Sequence, residues 1–171
     1  MNHSCFFTGH RDLPADQINQ IKALLKQHIT DLIENYGVTR FITGGAAGFD
    51  TLSAYGVLFL RDKYPHIRLD VFIPYPDYCK MLKNEQDLFL YDQVLRLCNE
   101  FRYISEHYTK DAMRLRNFEM VNNAQYGIAY LQRYATGSGQ TYRYAQRQNR
   151  TLWNIAEEIN QTSGIKAIPR L

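Results

Sequence analysis

Apolar residues follow two alternating patterns along this chain. Short continuous runs bounded by turn residues are typical of buried strands, whereas stretches with apolar positions three or four apart are typical of amphipathic helices. Because strands that alternate with helices build parallel sheets, the pattern indicates an α/β fold with a mostly parallel sheet and helices on both faces. Six strands are predicted, over residues 4–7, 38–43, 67–73, 101–104, 128–131 and 151–155.

Five amphipathic stretches lie between these strands and predict helices. Pro14 opens the first helix, Gly37 ends it, and Pro65 ends the second. No repeat or linker divides the chain, so we expect one domain over residues 1–171, with a weak amphipathic tail at 155–171. The helices are expected over 14–37, about 49–64 and about 80–98 (broken or continuous), from near 111, and after a loop at 136–141.

The first predicted strand ends in a polar turn, Thr8-Gly9-His10-Arg11. Open α/β sheets bind ligands at the carboxyl ends of their strands. The turn therefore brings four groups to the expected binding edge: a hydroxyl, a glycine backbone without a side chain, an imidazole and a guanidinium. Two other interpretations stay open: Arg11 as a surface ion-pair partner and His10 as a loop residue without a task.

The second predicted strand runs into a glycine loop, from Thr43 through Gly44, Gly45 and Gly48 to Asp50. Glycine permits backbone torsions and close approaches that a Cβ would block, and the helix that follows presents unpaired N–H groups to an anion. The loop therefore predicts a phosphate cradle. The alternative is a strand–turn–helix junction that needs glycines for its geometry alone.

Two further segments are expected at the same edge of the sheet. Arg116 and Asn117 lie in the helix after the fourth strand, where they could contact a phosphate or a ribose. A second glycine loop follows the fifth strand, and parallel strands bring both glycine loops together. From 120 to 156 the chain has no acidic residue, which predicts a local positive field.

Composition narrows the function classes only slightly. The chain has 171 residues and a formal net charge of +3, which permits an anionic ligand without indicating duplex nucleic acid. Its three cysteines lack a paired spacing, so we expect a reducing, cytoplasmic location. The five histidines show no metal-ligand spacing, and no apolar window approaches the ~18 residues of a membrane span. Neither a metal, a required cofactor nor a membrane is expected.

Four motifs occur along the chain in the order Thr8-Gly9-His10-Arg11, Thr43 to Thr51, Met113-x-x-Arg116-Asn117-x-x-Met120-Val121 and Gly137-Ser138-Gly139-Gln140-Thr141. In this order they resemble the DUF1273 or YpsA-like family of the SLOG superfamily, over roughly residues 4–154. The resemblance implies a single Rossmann-like domain of three layers that binds nucleotides or nucleotide-derived ligands at the carboxyl edge of its sheet. The superfamily includes the DNA-processing protein A domain and the LOG-type phosphoribohydrolases.

One departure from the family pattern concerns catalysis. LOG-type enzymes have a glutamate after their second glycine loop, whereas Tyr144 stands near that position in this chain. Asp50 and Glu119 are the remaining candidates for a catalytic carboxylate. Asp50 has two further possible roles, beside a ribose or as a cap of its own helix. Whether the protein is an enzyme stays open.

We therefore expect a nucleotide-binding sensor or regulator, with a nucleotide or an ADP-ribose-like molecule as ligand. The alternatives are a hydrolase of the N-glycosidic or phosphoribosyl bond and a protein that binds single-stranded nucleic acid. A homodimer is permitted. The expected ligand-binding residues are Thr8, Gly9, His10, Arg11, Thr43, Gly44, Gly45, Gly48, Asp50, Arg116, Asn117, Gly137, Ser138, Gly139 and Thr141.

Overall fold

The computed structural model describes residues 3–165 and contains a six-stranded sheet in which every neighbouring pair is parallel. This confirms the expected parallel α/β architecture and all six predicted strands. The strands are β1 (Ser4–Gly9), β2 (Arg40–Thr43), β3 (Arg68–Ile73), β4 (Glu100–Tyr103), β5 (Tyr126–Tyr130) and β6 (Thr151–Asn154), in the spatial order β4-β3-β2-β1-β5-β6.

Within residues 3–165, six α-helices and two short 3₁₀ helices connect or follow these strands. No helix among residues 3–165 has the length and apolar character needed to cross a membrane. The α-helices are α1 (Ile18–Tyr36), α2 (Phe49–Leu60), α3 (Glu85–Leu97), α4 (Ala112–Asn122), α5 (Gly137–Arg147) and α6 (Ile155–Ile165), and the 3₁₀ helices are Ala15–Gln17 and Pro76–Met81.

Two helix ends differ from the sequence prediction. A 3₁₀ turn separates Pro14 from the start of α1. The other end agrees with the prediction, since Gly37 follows the last residue of α1 in the left-handed conformation expected of a C-terminal glycine. The second helix ends at Leu60, and the chain turns through Tyr64 before Pro65. Proline disfavours helical torsions in the residue before it, so the helix must end before Pro65, and the turn completes that exit.

Two other segments correct or sharpen the prediction. The stretch at 80–98 is broken, because Asn84 caps a new helix by accepting a hydrogen bond from the Asp87 N–H at 2.7 Å. Ile155 begins α6 rather than ending a strand, so most of the expected weak tail is a helix packed through Ile155 and Ile159. The remainder of that tail, 166–171, lies outside the described residues.

Helices cover both faces of the sheet and complete the three-layer Rossmann-like fold. Strand side chains alternate between the faces, so Cys5 and Phe7 enter one core while Phe6 enters the other. The first core lies beneath α1, α2, α3 and α6, and the second beneath α4 and α5.

The topology places a crevice beside the end of β1. From β1 the chain builds β2, β3 and β4 outward in one direction, and α4 then returns it to place β5 on the other side of β1. Parallel sheets of this kind bind ligands where the strand order reverses. In the register of the two strands Gly9 lies opposite Tyr130, so the crevice begins at these residues.

Candidate functional site

A cavity of about 330 Å³ lies at this reversal of strand order. It lies within the size range of small-molecule sites. The end of β1, the segment after β5, the loop before α2 with the first turn of that helix, one face of α4 and the start of α5 form its walls. The lining residues are Thr8, Gly9, His10, Arg11, Asp12, Ala46, Asp50, Met113, Arg116, Asn117, Met120, Arg133, Thr136, Gly137 and Ser138.

The turn after β1 is held in place by its neighbours. The His10 N–H donates to the Tyr130 carbonyl at 3.2 Å, and the His10 carbonyl accepts from the Phe49 N–H at 3.1 Å. Ser138 Oγ donates to the Gly9 carbonyl at 2.8 Å. This single turn therefore connects the beginnings of α2 and α5, which are the two helix N-termini at the cavity.

The His10 side chain lines the cavity and also has a structural role. Its Nε2 accepts hydrogen bonds from the backbone N–H groups of Gln132 at 2.9 Å and Arg133 at 3.3 Å. Burial, and then the charge of Arg133, lower the pKa of His10. A neutral imidazole can accept these bonds, and it holds the segment that brings Arg133 to the cavity.

The loop at Gly44 and Gly45 contacts the protein itself. Arg116 Nη1 donates to the Gly44 carbonyl, and to the Phe72 carbonyl at 3.4 Å. A Cβ at Gly44 would overlap this guanidinium and approach Asp50 Oδ2 at 2.8 Å. Gly45, at φ +70°, lies against Tyr91. Neither glycine lines the cavity, so their geometric role is to admit Arg116 and to turn the chain.

Gly48 is another position in this loop that requires glycine. Its φ is +78°, and a Cβ there would overlap the Arg11 carbonyl. The close approach allows the loop before α2 to pack directly on the turn after β1. The position of Arg11 at the cavity therefore depends on the absence of a side chain at residue 48.

Asp50 and Arg116 are buried side by side, with 6% and 4% of their surfaces exposed. Asp50 Oδ2 accepts from the Ala46 N–H at 3.3 Å, and Arg116 Nε donates to Asn117 Oδ1 at 2.8 Å. Burial raises the pKa of Asp50, although the charges of Arg116 and Arg11 oppose that change. Asp50 is therefore a poor neighbour for a phosphate when ionised, and it offers polar atoms to hydroxyl groups.

The second glycine segment is the first turn of α5 rather than a loop before the helix, which corrects the sequence prediction. Thr136 caps the helix by accepting from the Gly139 N–H at 3.0 Å. The backbone N–H groups of Gly137 and Ser138 have no acceptor among residues 3–165. Both residues line the cavity, so a helix N-terminus with free donors opens into it.

Arg11 and Arg133 bring positive charge to the cavity. Neither side chain forms an ion pair or a hydrogen bond with residues 3–165. Both are exposed and both line the cavity. The opposing charges in the lining are Asp12 and the buried Asp50, so the wall holds three arginines and two aspartates.

Nine of the fifteen residues expected to bind a ligand line the cavity, and six do not. The six residues outside the lining hold neighbouring groups in place. For example, the Thr43 hydroxyl donates to the Asp50 carbonyl, and the Thr141 hydroxyl donates to the Gly137 carbonyl. The lining set comprises Thr8, Gly9, His10, Arg11, Asp50, Arg116, Asn117, Gly137 and Ser138, and the other six are Thr43, Gly44, Gly45, Gly48, Gly139 and Thr141.

Six lining residues were absent from the expected set. Met113 and Met120 share the face of α4 that holds Arg116, so helical spacing could have identified them. Arg133 was visible in the acid-free segment and Thr136 as a helix cap. Asp12 and Ala46 gave no signal in the sequence.

The two candidate catalytic carboxylates lie in different places. Asp50 lines the cavity, whereas Glu119 does not. Glu119 Oε1 pairs with Arg102 at 3.1 Å and accepts from Asn123 Nδ2 at 3.0 Å. Tyr144, which stands near the position of the LOG-type glutamate, stacks on Phe118 with 3.9 Å between ring centroids. The geometry therefore gives no support to Glu119 as a catalytic residue of this cavity.

A family model described as the YspA SLOG family (YpsA) matches residues 6–158. The chain belongs to this family. Among curated relatives, the SPbeta prophage-derived protein YoqJ of Bacillus subtilis (strain 168) is 24% identical over 82% of this chain and 90% of its own length. A UPF0398 protein of Oenococcus oeni (strain ATCC BAA-331 / PSU-1) is 25% identical over 70% of this chain, which spans 66% of that protein.

Two solved structures share the fold of this SLOG family member. DNA processing protein A of Streptococcus pneumoniae superposes with a TM-score of 0.60 and 15% identity over 87% of this chain, which spans 48% of that protein. DNA processing protein A of Helicobacter pylori, which binds single-stranded DNA, superposes with a TM-score of 0.62 and 14% identity. The match covers 94% of this chain and 72% of that protein. At this identity the likeness establishes the common fold.

Gly48→Ala should reduce the free energy of unfolding by about 2–4 kcal/mol, because alanine would be strained at a positive φ and would overlap a backbone carbonyl. Gly137→Ala is the matched control, since apart from its chain neighbours and its own helix backbone no atom of residues 3–165 lies within 4 Å of the place its methyl group would take. Its stability should stay within about 0.5 kcal/mol of wild type. Urea unfolding measures both, and equal stabilities of the two variants would contradict the packing described for Gly48.

The lowered pKa of His10 should give a pH-dependent contribution to stability. Below the ordinary histidine pKa of about 6.5 the unfolded chain takes up a proton at His10 while the folded chain does not, so the folded state loses stability as pH falls. The stability difference between wild type and His10→Gln, whose amide oxygen accepts without titrating, should shift by up to about 1.4 kcal/mol per pH unit there. Urea unfolding between about pH 8 and about pH 5 measures it, and a constant difference would contradict the neutral, accepting imidazole.

Proposed function

We propose that this chain binds a nucleotide or a nucleotide-derived molecule in the cavity at the end of β1. The main support is the combination of Arg11, Arg133 and the first turn of α5 around one opening. Two guanidinium groups without partners in the described chain and a helix N-terminus with free N–H groups form a suitable environment for an anion.

The phosphate is best placed at the start of α5. The Gly44 carbonyl is already in contact with the Arg116 guanidinium, and the Asp50 carboxyl lies beside it. An ionised Asp50 would repel a phosphate there, whereas Ser138 and Gly137 present no acidic group. The phosphate cradle predicted at Gly44 is therefore proposed at the second glycine segment instead.

The remaining walls suit the other parts of a nucleotide. Met113 and Met120 provide apolar surface for a base, and methionine adapts to flat ring systems. Asp50 and Asn117 offer polar atoms to ribose hydroxyls. Because Glu119 is paired with Arg102 outside the cavity and the LOG-type glutamate is missing, we propose a sensor or regulator rather than a hydrolase.

Arg133→Ala should weaken the binding of AMP or ADP by about tenfold or more, because it removes a charge-assisted contact worth about 1.5–3 kcal/mol. Arg147→Ala is the matched control, since Arg147 is an exposed arginine in the last turn of α5 and does not line the cavity. Calorimetric titration of both variants and wild type measures the affinities. No binding to any nucleotide, or an equal loss in the two variants, would contradict the proposed site.

A second candidate function is the binding of single-stranded nucleic acid. The observation that favours it is the shared fold, over 94% of this chain, with the Helicobacter pylori protein that binds single-stranded DNA. The acid-free segment from 120 to 156 provides a positive surface, with Arg133, Arg143, Arg147 and Arg150 along it. Proteins that bind single strands use positively charged surfaces to follow the phosphate backbone.

The salt dependence of the affinity distinguishes binding of a nucleic-acid strand from binding of a single nucleotide, because each phosphate contact releases counterions. If three of these arginines contact phosphates, the logarithm of the affinity for an oligodeoxythymidine should fall with the logarithm of salt concentration with a slope near −2, at about −0.7 per contact. Fluorescence anisotropy across a salt series measures the slope, and Arg147→Ala should reduce its magnitude. A flat salt response would exclude backbone tracking by this segment.

A further inference from the structure

The outer edge of β4 differs from the opposite edge of the sheet. β4 is the last strand on its side, so no strand of residues 3–165 pairs with its outer edge. Phe101 and Tyr103 of β4 are 45% and 47% exposed. On the opposite edge strand, β6, Leu152 and Trp153 are only partly exposed and pack against the cores. An unpaired strand edge with exposed aromatic side chains is suited to pairing with another chain.

The backbone of β4 offers hydrogen-bonding groups on this outer edge. The Ile104 N–H donates to the Ile73 carbonyl of β3 at 2.8 Å, and the register from Glu100 to Tyr103 is continuous. Successive residues of a strand direct their N–H and C=O groups to opposite sides, so those of Phe101 and Tyr103 point away from β3. β4 also contains no proline or lysine, residues that commonly protect edge strands. The edge is therefore regular and open to a further strand.

The charges of β4 are complementary to those of a second copy of the same strand. Glu100 and Arg102 lie on one face of the sheet, and Phe101 lies on the other. In an antiparallel pair with Phe101 opposite Phe101, Glu100 of each copy lies opposite Arg102 of the other, on the same face. A register centred on Arg102 would instead place two arginines opposite each other, and like charges in that position destabilise a sheet. Charge therefore favours the register centred on Phe101.

Both charged side chains can take a partner from a second copy in addition to their own. Glu100 is exposed and pairs with Arg68 at 3.0 Å, and Arg102 is partly exposed and pairs with Glu119 at 3.1 Å. A carboxylate has several acceptor sites and a guanidinium has five donors, so one ion pair does not exhaust either group. With one charge of each sign, the edge suits a copy of itself better than a uniformly acidic or basic partner.

We propose that two copies of this chain associate through β4, in an antiparallel pairing centred on Phe101 that joins their sheets into one. Most dimers of identical subunits have a two-fold axis, and a strand paired antiparallel with its own copy has this symmetry. The exposed aromatic rings of both copies then lie together on one face of the joined sheet. β4 is three strands away from β1, so the association leaves the cavity at the end of β1 open and does not depend on the proposed function.

Sedimentation equilibrium of the full chain at increasing concentration measures this association. The wild-type mass should approach twice the 20.1 kDa of one chain. Phe101→Lys should raise the dissociation constant of the dimer at least about tenfold, because two lysines would face each other and the aromatic contact would be lost. Phe59→Lys is the matched control, since Phe59 is an exposed phenylalanine of α2 beside Lys26 of α1, and its dissociation constant should equal that of wild type.

A mixing experiment tests the register of the two strands. Phe101→Glu should dissociate as Phe101→Lys does, whereas an equimolar mixture of the two variants should associate at least about tenfold more tightly than either alone, because unlike charges then lie opposite each other. Recovery in the mixture also shows that both variant chains are folded. A wild type that stays monomeric up to about 1 mM, a Phe101→Lys chain that associates like wild type, or a mixture that does not recover would each overturn the proposal.

Discussion

The contact of the Arg116 guanidinium with the ends of two strands is the constraint on which the site depends. Arg116 comes from α4 on one face of the sheet, and it reaches the carbonyls of Gly44 and Phe72. A buried guanidinium needs such acceptors, and Asp50, from α2 on the opposite face, lies beside it. The contact therefore fixes the two helical layers relative to each other at the carboxyl edge of the sheet.

Most of the fold could be predicted from the sequence because its signals are local. Each strand is a short apolar run, and Gly37 ends α1 as its position suggested. The differences between prediction and structure occur where contacts beyond the hydrophobic periodicity determine the ends of an element. Ile155 looks like the end of a strand in sequence, but it begins α6 because its side chain completes the core beneath that helix. The break before α3 depends on the Asn84 cap, which periodicity does not detect.

The position of the cavity in the fold was predictable from the sequence, and the contacts made by its lining residues were less so. The topology brings the motifs to one edge, as parallel strands require. Sequence could not show that the space beside Gly44 holds Arg116, because residues 44 and 116 become neighbours only in the folded chain. His10 illustrates the same limit: its position at the cavity was expected, whereas its bonds to the Gln132 and Arg133 N–H groups depend on a loop more than 120 residues away.

The central position of β1 has a consequence for how the molecule is made. Cys5 pairs with Phe41 on one side and with Tyr126 on the other, so one edge of the strand is completed early in synthesis and the second only after most of the chain exists. Until β5 arrives, β1 presents an open, apolar strand edge, a feature that promotes association between chains. The pairing of distant segments is also slow. The cavity beside β1, which needs both strands, should therefore be among the last parts of the protein to form.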